Sequence, residues 1–363
     1  MSSQAPPPAL SKEEVDQDVP IPDRPRSPPL HTTFAARNIT PPNFSAFKPR
    51  DTRIASSHAM THVAWSCDGK KLAAVGIDKI TRVWDSNKPI ELRNTTSTFS
   101  GGHLDDVDYI SWNPTHPELF CTSSSRDRRV VFWDARQSRH IQMVTLKNSP
   151  TKTSYAPDGR SVLYTTSGHN FGFLALGKKG DGPKEEWGLS PKDLKVGSTA
   201  RFNNSGDSIV VSHYSESSLM VLDCESLTTM RSQVSAHMGG CVALAMDPRG
   251  KYLASGGFNS IINLYDLRNW IAVRSITVCD HGINDLNFSF DGEYLAVANE
   301  GNYIDICAVE TGDSLHRIPA LAPSPTVSWH PSKYAIAYCG QTKYREAGPA
   351  QAAVISTFGV LDY

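Results

Sequence analysis

The chain has 363 residues with 25 glycines and 24 prolines, and a formal charge of −1, so no whole-molecule field draws it onto nucleic acid or a membrane surface. Its seven cysteines (Cys67, Cys121, Cys224, Cys241, Cys279, Cys307 and Cys339) are scattered, with no C-x-x-C pair and no Cys/His cluster at zinc spacing. Neither a disulfide framework nor a metal or other cofactor is therefore expected. Without a signal-peptide core or an 18-residue apolar run, the chain is expected to be soluble and intracellular.

Residues 1–49 carry 11 of the 24 prolines and few bulky apolar side chains. Such a segment buries too little apolar area to offset its ordering entropy, and a disordered Pro-rich tail is expected. Within it "RPRSPP" (24–29) offers Ser27 as a phosphorylation candidate and a faint basic targeting signal, a solvated linker being the plainer reading. A short β-forming stretch, "PRDTRIASS" (49–57), comes next.

From residue 60 one plan recurs. "HVAWSCDGKKLAAVGIDKITRVWD" (62–85), "ISWNPTHPELFCTSSSRDRRVVFWD" (110–134) and "ALAMDPRGKYLASGGFNSIINLYD" (243–266) share a layout of apolar strand, D-G-like turn, second strand, polar turn and third strand. "LNFSFDGEYLAVANEGNYIDICAVETG" (286–312) follows it, and weaker copies start near 153, 200 and 326. The residue ending each first strand (Trp65, Trp112, Tyr155, Phe202, Met246, Phe288 and Trp329) recurs at a mean interval of 44. A period of about 40–45 with Trp-Asp endings is that of WD40 blades. The expectation is an all-β fold, a seven-bladed WD40 β-propeller over 50–363. The last repeat stops one strand short after "AAVISTFGV" (352–360), and the spare strand near 49–57 is expected to close the ring.

Trp133-Asp134 is thus punctuation of a repeat. The polar residues that look catalytic recur at the same period: His103, Thr122 or Ser123, Asp127 and Trp133 in the second copy; His58, Asp78 and Trp84 in the first, where Ala73 and Ala74 replace the hydroxyl; His237, Ser255, Asn259 and Tyr265 in the fifth. A Ser/His/Asp set resembles a hydrolase triad by residue type, but a triad is defined by geometry, and periodic recurrence points to a structural hydrogen-bond network. No nucleophile elbow, P-loop or dinucleotide fingerprint occurs. No catalytic residue and no small-molecule substrate are expected.

Three stretches are candidates for partner contact. "SRDRR" (125–129) places Arg126, Arg128 and Arg129 on one turn, with Arg136 and Arg139 towards the opposite face. The linker "GKKGDGPKEEWGLSPKDLK" (177–195) offers Trp187 as a strand anchor or an exposed contact. "GQTKYREAGPAQ" (340–351) is a long turn with Lys343, Tyr344, Arg345 and Glu346.

Five stretches go beyond the general WD40 pattern: "VAWSCDGKKLA" (63–73), "WNPTHPELF" (112–120), "YIDICAVETGDSL" (303–315), "TVSWHP" (326–331) and "KYREAG" (343–348). Together they resemble the THO complex subunit 3 family over about 60–360, least in the third and fourth repeats. The resemblance implies a nuclear, non-enzymatic scaffold in the complex that couples transcription to messenger RNA packaging and export. Its partners would be the other THO subunits, above all the large helical one. RNA would be engaged mainly indirectly, and no membrane would be involved. Two rivals are weighed against it. "WDAR" (133–136) and "YDLR" (265–268) resemble the box by which some propellers join cullin ubiquitin ligases, and His103 with Ser123 would suit a propeller hydrolase.

Overall fold

The computed structural model describes residues 29–54, 56, 58–88, 96–178, 184–213, 217–235, 237, 239–342 and 352–360. They form seven antiparallel sheets, six of four strands and one of five; in six of them four consecutive strands run from the axis outward, and in the five-stranded one a short extra strand pairs back on the third. Blade 1 spans 60–99, blade 2 109–145, blade 3 150–196, blade 4 199–235, blade 5 241–276 and blade 6 283–319; blade 7 spans 327–359 and takes its outer strand from Arg50–Arg53. This is a seven-bladed β-propeller.

The strand pattern follows from packing. Neighbouring blades cover both faces of the inner strands, so the second strand of blade 6, Tyr294–Asn299, is buried at every residue. The outer strand of blade 2, His140–Thr145, pairs with no further strand of its own sheet and alternates exposed with half-buried positions. Between blades 1 and 2 the core joins Val75, Val83 and Phe99 to Ile110, Phe120 and Trp133. The repeat-marking residues end the inner strands, and two of them stitch blade to blade: Trp112 Nε1 donates to Ala64 O at 3.1 Å, and Trp65 Nε1 to Ser328 O at 3.2 Å.

The D-G-like turns join first to second strands on what is called here the lower face. Gly69, Gly159, Gly206, Gly250 and Gly292 occupy equivalent places there with φ between +69° and +81°, a conformation glycine adopts without steric cost. The upper face carries the loops between blades and the turns between second and third strands.

Arg50–Arg53 pairs antiparallel with Ala353–Gly359, Arg50 opposite Thr357 and Arg53 opposite Val354. Blade 7 thus combines strands from both sides of the repeat array, and its third strand is paired on both sides. The tail expected over 1–49 divides. Residues 1–28, Ser27 included, lie outside the described residues, but 29–49 are packed on the lower face of blades 6 and 7. Phe44, 5% exposed, meets Tyr294 edge-on at 5.3 Å; Phe34 stacks on Tyr294 at 5.7 Å; Phe47 meets Phe358 at 5.9 Å. Packing therefore starts before the expected boundary at 49, because three phenylalanines supply the apolar area that proline content obscures.

Candidate functional site

In blade 2 the loop from blade 1 brings His103 over the second strand. His103 Nδ1 lies 3.0 Å from Asp127 Oδ2, and its Nε2 lies 2.8 Å from Thr122 Oγ1. Trp133 Nε1 donates to the same hydroxyl at 2.8 Å. Asp127 only accepts, so Nδ1 carries the proton, Nε2 accepts from Thr122, and Thr122 accepts from the indole. Burial would raise the Asp127 carboxyl, but hydrogen bonds from His103 and the Leu104 N–H outweigh it and hold it below its usual range. Histidine-to-hydroxyl order matches a hydrolase triad, yet Thr122 is fully buried, the His103 side chain is 1% exposed, and the hydroxyl oxygen faces the indole. No substrate atom can reach it.

Of the two hydroxyls considered, Thr122 is the member of this network. Ser123 points to the opposite side of the strand and donates to Thr151 O at 3.3 Å, which corrects its assignment to the set and removes it as a partner of His103. The blade 1 set is also corrected. His58 is exposed and its N–H is bonded to Ser56, while Asp78 is taken by Arg82 at 2.7 Å. With Ala73 and Ala74 offering no hydroxyl, the nearly buried Arg82 guanidinium fills the space beside Asp78, and Trp84 is packed at 2% exposure. In blade 5, His237 Nε2 meets Ser255 Oγ at 2.7 Å, and Tyr265 is fully buried in the tryptophan position.

The turn at 125–129 presents two exposed cations. Arg126 Nε reaches Asp106 Oδ2 at 2.9 Å with its side chain 66% exposed, and Arg128 stands at φ +60°. Arg129 is half-buried and donates to Gly102 O at 3.3 Å, which leaves it less free than expected. Arg136 forks onto its own Asp134, Nε to Oδ1 at 2.9 Å and Nη2 to Oδ2 at 2.7 Å; Arg139 is exposed. Trp187 is a strand anchor: its ring stacks on Phe132 at 4.3 Å, and Gln142 bonds both its N–H and C=O at 2.7 Å. Lys343, Tyr344 and Arg345 lie outside the described residues.

The stretch "YIDICAVETGD" is explained by contacts between elements. Arg317 lies over the Tyr303 ring at 3.9 Å and bonds Asp305 through Nε at 2.9 Å. Glu310 takes Lys251 Nζ at 2.6 Å and Tyr252 OH at 2.9 Å, tying blade 6 to blade 5. Beside it Arg249 bridges Asp247 and Glu293, and Glu293 in turn holds Arg37 of the N-terminal segment at 2.5 Å.

The repeat spacing also marks residues that motif reading passes over. Three positions before the first six strand-ending markers stand His62, Tyr109, Lys152, Thr199, Ala243 and Asp285, and all six line the axial channel. The signal was available in the period, but channel residues differ from blade to blade and form no motif.

The chain matches the family described as WD domain, G-beta repeat over residues 48–85, 93–134 and 227–266, and that described as anaphase-promoting complex subunit 4 WD40 domain over 268–332. It is similar to THO complex subunit 3 of Arabidopsis thaliana, with 30% identity over 288 residues covering 77% of this chain and 86% of that protein. It is also similar to WD repeat-containing protein AAC3 of Dictyostelium discoideum, 24% identical over 90% of this chain and 71% of that one. Among solved structures, the β-propeller domain of Cps50 (Swd1) from Myceliophteria thermophila superposes with a TM-score of 0.67 over 84% of this chain and 99% of that domain, at 17% identity, a likeness of fold.

Proposed function

Because the chain belongs to the THO complex subunit 3 family, we propose that it is a non-enzymatic scaffold subunit of a nuclear THO assembly that couples transcription to the packaging and export of messenger RNA. The observation that carries this reading is the relationship itself, which runs along most of both proteins. The geometry supports it: the arrangement closest to catalytic chemistry, His103 with Thr122, is sealed inside blade 2 and serves the fold.

In this reading the propeller docks the other THO subunits, above all the large helical one, through protein contacts, and RNA is held by the assembly. The exposed Arg126 and Arg128 on the upper turn of blade 2 are the contacts we assign to an acidic surface of a partner. Depletion of the protein from its own cells, followed by in situ hybridisation to polyadenylated RNA, tests the reading. RNA is expected to accumulate in nuclei and to be released by the wild-type protein, but only weakly by a protein carrying Arg126→Glu and Arg128→Glu. An unchanged RNA distribution after depletion would contradict it.

A further inference from the structure

On the upper face the turn between second and third strands holds one residue in the left-handed region at the same place in five blades: Lys79 (φ +67°), Arg128 (φ +60°), His169 (φ +56°), Ser217 (φ +50°) and Ser260 (φ +62°). Glycine takes up that conformation freely, whereas a long side chain there is strained. Blades 1 and 2 nevertheless put a lysine and an arginine at this place, and both are exposed. Neither has a carboxylate within ion-pairing distance among the described residues.

Between these two cations stands Leu104, its side chain 64% exposed. Its backbone is held from both sides: the Leu104 N–H donates to Asp127 Oδ2 at 2.9 Å, and its C=O accepts from Lys79 Nζ at 2.8 Å. Asp127, next to Arg128 in the chain, is fixed in turn by His103, so the buried network of blade 2 holds an apolar side chain outward. A leucine presented on so fixed a backbone loses little freedom when a partner covers it. Charge sorts by exposure at this corner. On the two turns and the loop between them the exposed charges are Lys79, Arg126 and Arg128. The acids are half-buried and engaged: Asp78 with Arg82, Asp106 with Arg126, Asp105 with the Asp106 N–H, and Asp108 with the Ser125 N–H.

We propose that this corner of blades 1 and 2 is a docking site for an acidic amphipathic segment of a partner protein, with an apolar side chain seated on Leu104 and carboxylates on either side of it reaching Lys79 and Arg128. A helix face supplies that pattern, since residues three or four apart lie beside one another. The cations select a partner of opposite charge, and Leu104 selects protein over RNA. A nucleic-acid strand is held by phosphate contacts together with aromatic rings on which its bases stack, and among the described residues the two turns and their loop expose no aromatic side chain. The half-buried Asp105 and Asp108 also oppose a continuous phosphate chain, whereas a peptide places its carboxylates only where the cations stand. The inference rests on the scaffold reading, in which Arg126 and Arg128 meet an acidic partner surface, and names the form of that surface; Arg126, already taken by Asp106, has the lesser part.

Isothermal titration of the purified full chain tests the site, with a blocked helical peptide of glutamate and leucine, its glutamine-for-glutamate and alanine-for-leucine counterparts, and a single-stranded uridine oligonucleotide. The Glu/Leu peptide is expected to bind about tenfold more tightly than either counterpart, more tightly than the oligonucleotide, and more weakly as salt is raised. Lys79→Gly and Arg128→Gly should each weaken it about threefold, as removal of an exposed ion pair does. Leu104→Ser should bring it to the level of the alanine-for-leucine peptide. Both glycine variants should unfold close to the wild-type temperature, since glycine suits the left-handed backbone. Lys70→Met, on the lower face, should change nothing. Equal binding of the Glu/Leu peptide and its glutamine counterpart, preference for the oligonucleotide, unchanged binding in Leu104→Ser or in both glycine variants, a marked drop in the unfolding temperature of those variants, or loss of binding in Lys70→Met would overturn the proposal. The peptide is synthetic and the chain isolated, so a failed titration leaves membership of the THO assembly standing, and loss of membership leaves a positive titration standing.

Discussion

Thr122 satisfies two buried groups at once, giving its proton to His103 Nε2 and accepting from Trp133 Nε1. Thr122→Val keeps the shape and orphans both, at about 1–3 kcal/mol for each buried group left without a partner. A destabilisation of about 2–5 kcal/mol is expected in denaturant unfolding, against less than about 1 kcal/mol for Ser123→Ala, whose single bond is the long one to Thr151 O. Equal effects of the two would mean that the network does not hold blade 2. The sequence left Thr122 and Ser123 as alternatives for a physical reason. In an outer-face strand, burial alternates and marks the inward residue, but Phe120–Ser124 is buried on both sides, so the pattern has no phase. His58 misleads for a related reason: its spacing fits the set, but without a hydroxyl at 73 or 74 nothing draws the imidazole inward, and Asp78 pairs with Arg82.

At the scale of elements, the lower face depends on the N-terminal segment. Residues 29–49 cover Tyr294, Trp329 and Phe358 with three phenylalanines and fasten to Glu293 through Arg37 before the chain enters the outer strand of blade 7. Phe44→Ala is expected to cost about 3–5 kcal/mol in global stability, as for other buried phenylalanine truncations. A chain starting at residue 29 should unfold like the full-length protein, and one starting at 48 should unfold at a clearly lower temperature. If both truncations unfolded alike, the segment would be an ornament of the surface. The sequence obscured this element because its prolines and charges match a solvated linker, whereas the legible signal was sparse, three aromatic residues in fourteen. The glycine turns were legible, since a D-G-like pair recurring at the repeat period names both the turn and its backbone. At Gly69 the requirement is double: φ is +72°, and an added Cβ would run into the His330 ring.

For the whole molecule, the repeat period revealed the architecture because every blade makes the same demand on its interior. Surface residues that choose a partner carry no period, so the docking face could not be read in the same way. Closure into one ring also makes stability a collective property, and its pH dependence follows from groups spread around it. Burial holds His62 in blade 1, His237 before blade 5 and His330 in blade 7 below the usual imidazole range. The folded state then favours neutral rings, while unfolded histidines take up protons as pH falls through about 6.5. Stability from these groups is complete above that value and is lost below it, by at most about 1.4 kcal/mol per pH unit for each fully buried ring. Asp127 and Asp78, held below the usual carboxylate range, extend the loss to lower pH, and Asp108, pushed up by burial, opposes it. The unfolding midpoint is expected to hold nearly level from pH 7.5 to about 6.5 and to drop from there to pH 5.5, with a shallower slope in His62→Gln. A midpoint that rises on acidification would contradict the assignment of neutral, buried imidazoles.

The central claim, membership of a protein-mediated THO assembly, is tested most directly by tagging the full chain, purifying it from nuclear extract in the presence of nuclease, and identifying what accompanies it in stoichiometric amounts. The account predicts the remaining THO subunits, retained after RNA is digested and retained in an Arg136→Glu, Arg268→Glu variant. Recovery of a cullin ligase adaptor in their place, lost in that variant, or recovery of the chain alone, would contradict it.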